Sequence, residues 1–562
     1  MRTPRHRVLL SLAAWLACGD DSGSPTPVAE GSGDATSEGS SSAADAGSSS
    51  AADDSSSGTG AHGCGTSEPG DGAVLTAFGP VVGTAGDGVD SFLGIPYATP
   101  PLGALRWQPP IDPQCWSQPL VADAFGPECA QLQSEDGPLL GDEDCLTLNV
   151  WAPQAAGPHP VMVFLHGGGH TIGSGSDPLF DGTLLARERS VVVVTLNYRL
   201  GALGYLADAS LAVDDPRGVS GNYGLLDQIH ALRWVDGNIA AFGGDPERTL
   251  LFGESAGAVS TCAVVGSPDA DGLYTRALVE SGTCSFRTAA SYEADVTAPW
   301  IAASGCADDA DVAACLRAMS VQDVLTTPPV GFPSVSALGQ TWSAFVDGVT
   351  LPASTLDRLR SGALAQLPLV VGSNAQETAR DVPTLTEDAY VALVQASFGP
   401  YAELVLAQYP VADYADPTAA YVALSSDAKF VCGARRAVAA ARDGGGSSVF
   451  RYHFSYDGYE APRGSVPAAF HGLELVYVFG NFASLFPPPL VYQPNADDET
   501  MAALLGGAWA AFADTGSPST ASLQWPEYSS GDDPFAQLDV PPATGDGVRT
   551  AQCDFWDGLI PG

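Results

Sequence analysis

Five short, nearly continuous apolar runs constrain the fold of this chain more than any other feature. They are Val161-Met-Val-Phe-Leu165, Val191-Val-Val-Val-Thr-Leu196, Thr249-Leu-Leu-Phe252, Ala277-Leu-Val-Glu280 and Pro368-Leu-Val-Val371. Runs that lack the polar alternation of a half-solvated strand predict strands buried on both faces of a parallel sheet. Helix-like segments, such as Leu225 to Phe242 and Ala256 to Val265, lie between them. The alternation predicts an α/β fold: a large, mostly parallel, twisted, doubly wound sheet with helices on both faces. In such a sheet, ligands meet the chain at the carboxyl ends of the strands.

The third run leads straight into Gly253-Glu-Ser-Ala-Gly257, and an apolar, helix-tolerant segment follows. In this strand–turn–helix pattern a strained turn lifts the Ser255 Oγ above the sheet. Glycines two residues to either side let backbone and helix pass closely. The N–H of Ala256 falls at a helix N-terminus, where the dipole favours a developing oxyanion. In a chain with 64 glycines, five letters alone also fit a glycine-rich loop, so the context decides. The first run is followed by His166-Gly-Gly-Gly-His170, and its consecutive glycines expose N–H groups with no side chain in the way. An oxyanion hole needs this.

A catalytic acid and then a histidine should follow. Of the eight histidines, His453 and His471 come after Ser255. His453 sits in an alternating, strand-like run and reads as structural. His471 sits in a loop ahead of the helix-like Leu473–Phe479, where catalytic residues concentrate. The loop trailing the fifth run, Ser373-Asn-Ala-Gln-Glu377, offers Glu377; by spacing, Asp381 competes with it.

The chain has 562 residues and a net charge of −42, with 65 acidic residues against 23 basic ones, and Lys429 is its only lysine. Such a surface repels phosphate backbones, so no nucleic-acid partner is expected; the charge serves solubility and at most draws in cationic ligands. The 11 cysteines suit an oxidising compartment. Arg2, Arg5 and Arg7 precede an apolar run from Val8 to Ala17 that is too short to span a membrane but suits a signal peptide, residues 1–17. The run ends Trp-Leu-Ala-Cys18, which resembles a bacterial lipoprotein signal, although Trp15 departs from the usual small aliphatic residue. Cys18 is therefore a candidate for lipidation and membrane tethering, with ordinary signal-peptidase cleavage as the alternative. Residues 18–71 are nearly all small or acidic, cannot bury enough surface to offset chain entropy, and read as a disordered tether. Residues 72–562 read as the folded domain, with no later segment long and apolar enough to be a transmembrane helix.

Further blocks occur in a fixed order: Phe92-Leu-Gly-Ile-Pro-Tyr-Ala98, Pro100-Pro-Leu-Gly-Ala-Leu-Arg-Trp107, Glu143-Asp-Cys-Leu-Thr-Leu-Asn149, Asn197-Tyr-Arg-Leu-Gly201, Gly221-Asn-Tyr-Gly-Leu-Leu-Asp-Gln228 and His471-Gly-Leu-Glu-Leu475. With the glycine tract and the elbow, they make the chain from about Ala73 onward resemble the type-B carboxylesterases. That group has the α/β-hydrolase fold and includes cholinesterases, mammalian carboxylesterases and some fungal lipases. The resemblance implies Ser255 as nucleophile, His471 as base and Glu377, rather than Asp381, as acid. Gly168, Gly169 and Ala256 become the oxyanion donors. It also implies ion pairs Arg106–Glu143 and Arg199–Asp227, and disulfides Cys129–Cys145, Cys306–Cys315 and Cys432–Cys553. Thr378 departs from the glycine that usually follows the acid. If Cys18 is lipidated, pairing Cys64 with Cys115 and Cys262 with Cys284 leaves no odd thiol, on parity alone. No cofactor is required, and no Cys/His spacing of zinc type occurs, so no metal site is expected.

These residues point to a carboxylic ester hydrolase acting on a small-molecule ester. Choline esters are recognised in the family partly through a tryptophan in the first disulfide loop. Here that loop, Ala130 to Asp144, holds no aromatic residue and is too short for a lipase lid, though Leu139-Leu140 gives it a small apolar tip. Small to medium acyl groups are therefore expected. A triacylglycerol lipase and a carbamate or amide hydrolase are the alternatives on the same residues. A non-catalytic recognition module is disfavoured, because serine, glutamate and histidine are all present. His170 replaces the aromatic residue that usually follows the glycine tract. It either reshapes the acyl pocket, in which case His170→Phe shifts chain-length preference, or fills space.

Overall fold

The computed structural model describes residues 72–134, 137–213, 215–328, 334–338, 341–461, 467–486 and 490–559. The expected signal peptide, Cys18, Cys64 and the tether lie outside the described residues. All five apolar runs enter one 11-stranded sheet. Seven of its strands run parallel in the spatial order Val192–Leu196, His159–Leu165, Gly244–Glu254, Arg276–Glu280, Leu369–Asn374, Val449–Phe454 and Pro534–Leu538. Antiparallel strands finish both edges: Ala543–Asp546 on one side, and Thr147–Pro153, Val89–Pro96 and Thr84–Ala85 on the other.

The pleat explains why these runs are apolar at every position. Along His159–Leu165, Val161, Val163 and Leu165 enter one core, while Met162 and Phe164 enter a second on the opposite face. All five side chains have no exposure. The first core is completed by helices Tyr223–Asn238 and Ala256–Gly266, and the second by Leu473–Phe479 and Ala496–Thr515. Phe164 lies within 4.6–5.2 Å of the rings of Phe180, Phe252 and Phe479, tying the strand to that second layer. Truncating such a side chain to alanine costs about 3–5 kcal/mol.

A third, smaller core gathers helices Glu387–Phe398, Ala402–Gln408, Pro417–Ser426 and Thr550–Leu559. Here the sequence expectation needs correction, because the span Glu387–Asp413 is, by length and composition, apolar enough to cross a membrane. It is nevertheless broken at Gly399-Pro400, and it buries Tyr390, Val394, Phe398 and Val405 in this core.

The disulfides Cys129–Cys145, Cys306–Cys315 and Cys432–Cys553 are formed, as is Cys262–Cys284. Cys115 is also disulfide-bonded. Arg106 and Glu143 make a two-pronged pair at 2.7 and 2.5 Å; Arg199 and Asp227 make another at 2.8 and 2.7 Å. Both pairs are buried, where the fork geometry offsets the desolvation of the charges.

After His159–Leu165 the chain adds Val192–Leu196 on one side, and then Gly244–Glu254 on the other. Sheet growth reverses there, and the carboxyl ends of these two strands flank the crevice where a doubly wound sheet binds ligands. Two buried histidines border this point. Burial holds His166 down at about 4 and, with added repulsion from His166, His170 at about 3. The unfolded chain therefore binds more protons as pH falls below 6.5, and these groups withdraw stability from there down to about 3. Urea unfolding of wild type and His170→Phe from pH 7 to 4 should show a pH slope less acid-sensitive in the variant by up to about 1.4 kcal/mol per unit. Identical slopes would mean that His170 titrates normally.

Candidate active site

Strand Gly244–Glu254 ends and helix Ala256–Gly266 begins with one residue between them, Ser255. That residue takes φ 58° and ψ −122°, a conformation that costs an L-residue on the order of 1–3 kcal/mol. Its N–H donates to the Glu280 carbonyl at 2.9 Å. A side chain at 257 would collide with the Leu165 carbonyl oxygen, and one at 253 would press on the Gly257 backbone. Both glycines of the elbow are thus demanded by the helix starting against the end of the neighbouring strand.

The glycine tract leaves that same strand. Gly168 and Gly169 have φ 103° and 62°. The N–H groups of Thr171 and Ile172 turn back onto the Gly168 carbonyl, each at 3.1 Å. The N–H groups of Gly168 and Gly169 donate to no described backbone group, and Ala256, first in its helix, has no intrahelical acceptor. A Cβ on Gly167 would lie 3.1 Å from Ser255 Cβ, so the tract runs directly beside the serine. Tyr198 stacks on His166 at 4.4 Å and donates to the His166 carbonyl at 2.7 Å, fixing the start of the tract. His170 is fully buried, with Nε2 3.1 Å from Ser260 Oγ and its ring against Tyr205. That packing fits the space-filling reading.

The loops after Leu369–Asn374 and before Leu473–Phe479 are zipped together. Asn374 Nδ2 donates to the Phe470 carbonyl at 2.8 Å, Gln376 N to Ala469 at 3.0 Å and His471 N to Glu377 at 3.0 Å. This brings His471 Nδ1 to 2.7 Å from Glu377 Oε2, while Glu377 Oε1 accepts from Asn374 N at 2.7 Å. The other ring nitrogen, Nε2, lies 3.1 Å from Glu254 Oε1 without hydrogen-bond alignment. Phe430 packs against the imidazole at 4.8 Å. Thr378 does not adopt a positive φ, so no glycine is needed after the acid; its buried hydroxyl bonds Ser425 Oγ at 2.7 Å.

Glu254, on the Nε2 side of the ring, and Glu280 and Glu474 join Glu377 around the histidine, all at 6 % exposure or less. Trp509 Nε1 donates to Glu280, and Asn374 Nδ2 donates to Glu474. Of the four, Glu377 alone has both oxygens hydrogen-bonded. Burial first, and the Glu377 charge second, push the Glu254 carboxyl well above the carboxylate range. Burial also raises Glu280 and Glu474, which repel one another. Carboxylates packed this closely cannot all ionise.

Of the residues expected from the sequence, the fold brings Glu377 against His471 and sets the glycine tract beside Ser255. Glu254, Glu280, Glu474 and Asn374 were not expected there. A signal was there, since Leu-Val-Glu280 and Gly-Leu-Glu474-Leu set an acid inside an apolar run, where it must be buried. Asp381, the competing acid, instead accepts from Ser334 Oγ at 2.8 Å and Ser336 N at 2.7 Å. Lys429 Nζ donates to the carbonyls of Ser334, Val335 and Ala337 at 3.0–3.2 Å, holding the same segment. His453 lies in strand Val449–Phe454, its ring edge-on to Phe535.

A family profile described as the Carboxylesterase family matches residues 70–556. The chain is 35 % identical over 468 residues to a fumonisin B1 esterase of Sphingopyxis macrogoltabida, covering 81 % of this chain and 84 % of that one. It is 35 % identical over 473 residues to the para-nitrobenzyl esterase of Bacillus subtilis (strain 168), covering 81 % and 92 %. A solved PNB esterase superposes with a TM-score of 0.74 at 32 % identity, covering 86 % of this chain and 99 % of that one. The chain belongs to the carboxylesterase family, is built on the α/β-hydrolase fold, and is a carboxylic ester hydrolase.

Proposed function

We propose that this hydrolase works through an acyl-enzyme on Ser255. His471 takes the serine proton as Oγ attacks the ester carbonyl, and Glu377 orients the imidazole and stabilises its protonated form. The N–H groups of Gly168, Gly169 and Ala256 hold the tetrahedral oxyanion, each worth on the order of 10²–10³ in turnover. The alcohol leaves with the His471 proton, and water then releases the acid. The observation that carries this reading is the 2.7 Å contact between His471 Nδ1 and Glu377 Oε2, which leaves Nε2 on the opposite side of the ring, 3.1 Å from Oε1 of Glu254, the residue before Ser255.

The substrate we assign is a small-molecule ester with a small to medium acyl group. The first disulfide loop supports this: its described residues form a short hairpin, Gln131–Leu132 with Leu139–Leu140. The relatives' names, for a fumonisin B1 and a para-nitrobenzyl esterase, fit small-molecule esters. One observation favours a lipase, the exposure of both Leu139 and Leu140 at the hairpin. We also propose that residues 1–17 direct export and that Cys18, once lipidated, anchors the domain through residues 18–71.

A p-nitrophenyl ester panel from acetate to palmitate should peak at short to medium chains in wild type. Glu377→Gln should lower kcat by on the order of 10³–10⁴ with KM changed far less. A palmitate optimum with activation at an oil interface would favour the lipase. Undiminished kcat in the variant would remove Glu377 from the mechanism. For the anchor, Cys18→Ser in a bacterial host should move the protein from the membrane fraction to the soluble one; wild type recovered soluble with an unacylated N-terminus would contradict it.

A further inference from the structure

Arginines in this acidic chain are almost all committed to partners. Eleven described arginines form ion pairs with carboxylates. Arg189, Arg233, Arg276 and Arg442 donate to backbone carbonyls. Arg380 does neither among the described residues. It is exposed, and its guanidinium lies 3.4 Å from the ring centre of Phe470 and 5.5 Å from that of Phe486, with Tyr459 as the polar side chain that engages it.

Its place in the chain is as telling as its lack of an anionic partner among the described residues. Arg380 stands three residues after Glu377, and Phe470 immediately precedes His471, so the stacked pair bridges the acid and base loops. The carboxylates nearest in sequence are already occupied: Glu377 by His471 and Asn374, and Asp381 by Ser334 and Ser336. A guanidinium held by its face keeps the in-plane N–H donors of its edge, which match a carboxylate in two-pronged fashion. A net charge of −42 repels anions at long range, so an anionic substrate would need a local cation of this kind.

We propose that Arg380 is a specificity-determining residue that recognises an anionic group on the substrate, so that the enzyme selects esters bearing a free carboxylate over neutral esters of the same size. This rests on the serine-esterase reading above. The two sides of the scissile bond are distinguished by monoethyl glutarate against ethyl pentanoate, with the charge on the acyl side, and by an acetylated hydroxy acid against its alkyl analogue, with the charge on the alcohol side.

In pH-stat assays, wild type should prefer the charged member of one pair in kcat/KM. Arg380→Ala should reduce that preference at least about tenfold, chiefly through KM, which is the scale of one charged hydrogen bond. Arg380→Lys should retain part of it, and Arg380→Glu should reverse it. Preferences equal in wild type and Arg380→Ala for both pairs would overturn the assignment. Calorimetric binding of glutarate and of the hydroxy acid needs no turnover. Weakening of one of them by about tenfold in Arg380→Ala supports the site even where Ser255 proves not to be the nucleophile, whereas unchanged binding of both refutes it.

Discussion

The structure depends on one close approach: the first turn of helix Ala256–Gly266 against the carboxyl end of strand His159–Leu165. Gly257 has no room for a side chain beneath the Leu165 carbonyl, and Gly253 has none beneath Gly257. Everything at the site is referred to that contact. It goes with the positive φ at Ser255 and sets the glycine tract, which continues from Leu165, alongside the serine. The strain is carried by strands buried on both faces, whose side chains feed two separate cores. A rigid sheet is what lets a strained turn persist.

Electrostatics supplies the second constraint. Four glutamates are buried around a single imidazole, and the chain satisfies both oxygens of only one of them. Burial and mutual repulsion drive Glu254, Glu280 and Glu474 toward their neutral forms. Glu377 is distinguished by geometry, with one oxygen on Asn374 N and the other on His471 Nδ1. One fixed carboxylate partner for the histidine is thus separated from neighbours of the same chemical type by hydrogen bonding alone. Phe430 and the zipped 374–377 and 469–471 loops then hold the ring in place.

Much of this was legible in the sequence, for physical reasons that differ by element. The five central strands could be read because burial on both faces leaves no polar alternation. The elbow and glycine tract could be read because close backbone contact tolerates only glycine. The antiparallel edge strands were not foreseen, since Ala543–Asp546 is mostly exposed and carries little hydrophobic signal. The break at Gly399-Pro400 decides whether Glu387–Asp413 is one helix or two, and composition alone cannot weigh that. The buried glutamates and the stacking of Arg380 on Phe470 join residues far apart in sequence, so they became visible only when the loops were brought together.

We propose that one serine, selected by backbone geometry, is the nucleophile. Treating the protein with an organophosphate and mapping the adduct by peptide mass spectrometry tests it most directly. A single adduct is expected on the peptide containing Ser255, formed rapidly in wild type, slowed severely in His471→Ala and absent in Ser255→Ala. An adduct on any other serine, or equal labelling of Ser255→Ala, would contradict it.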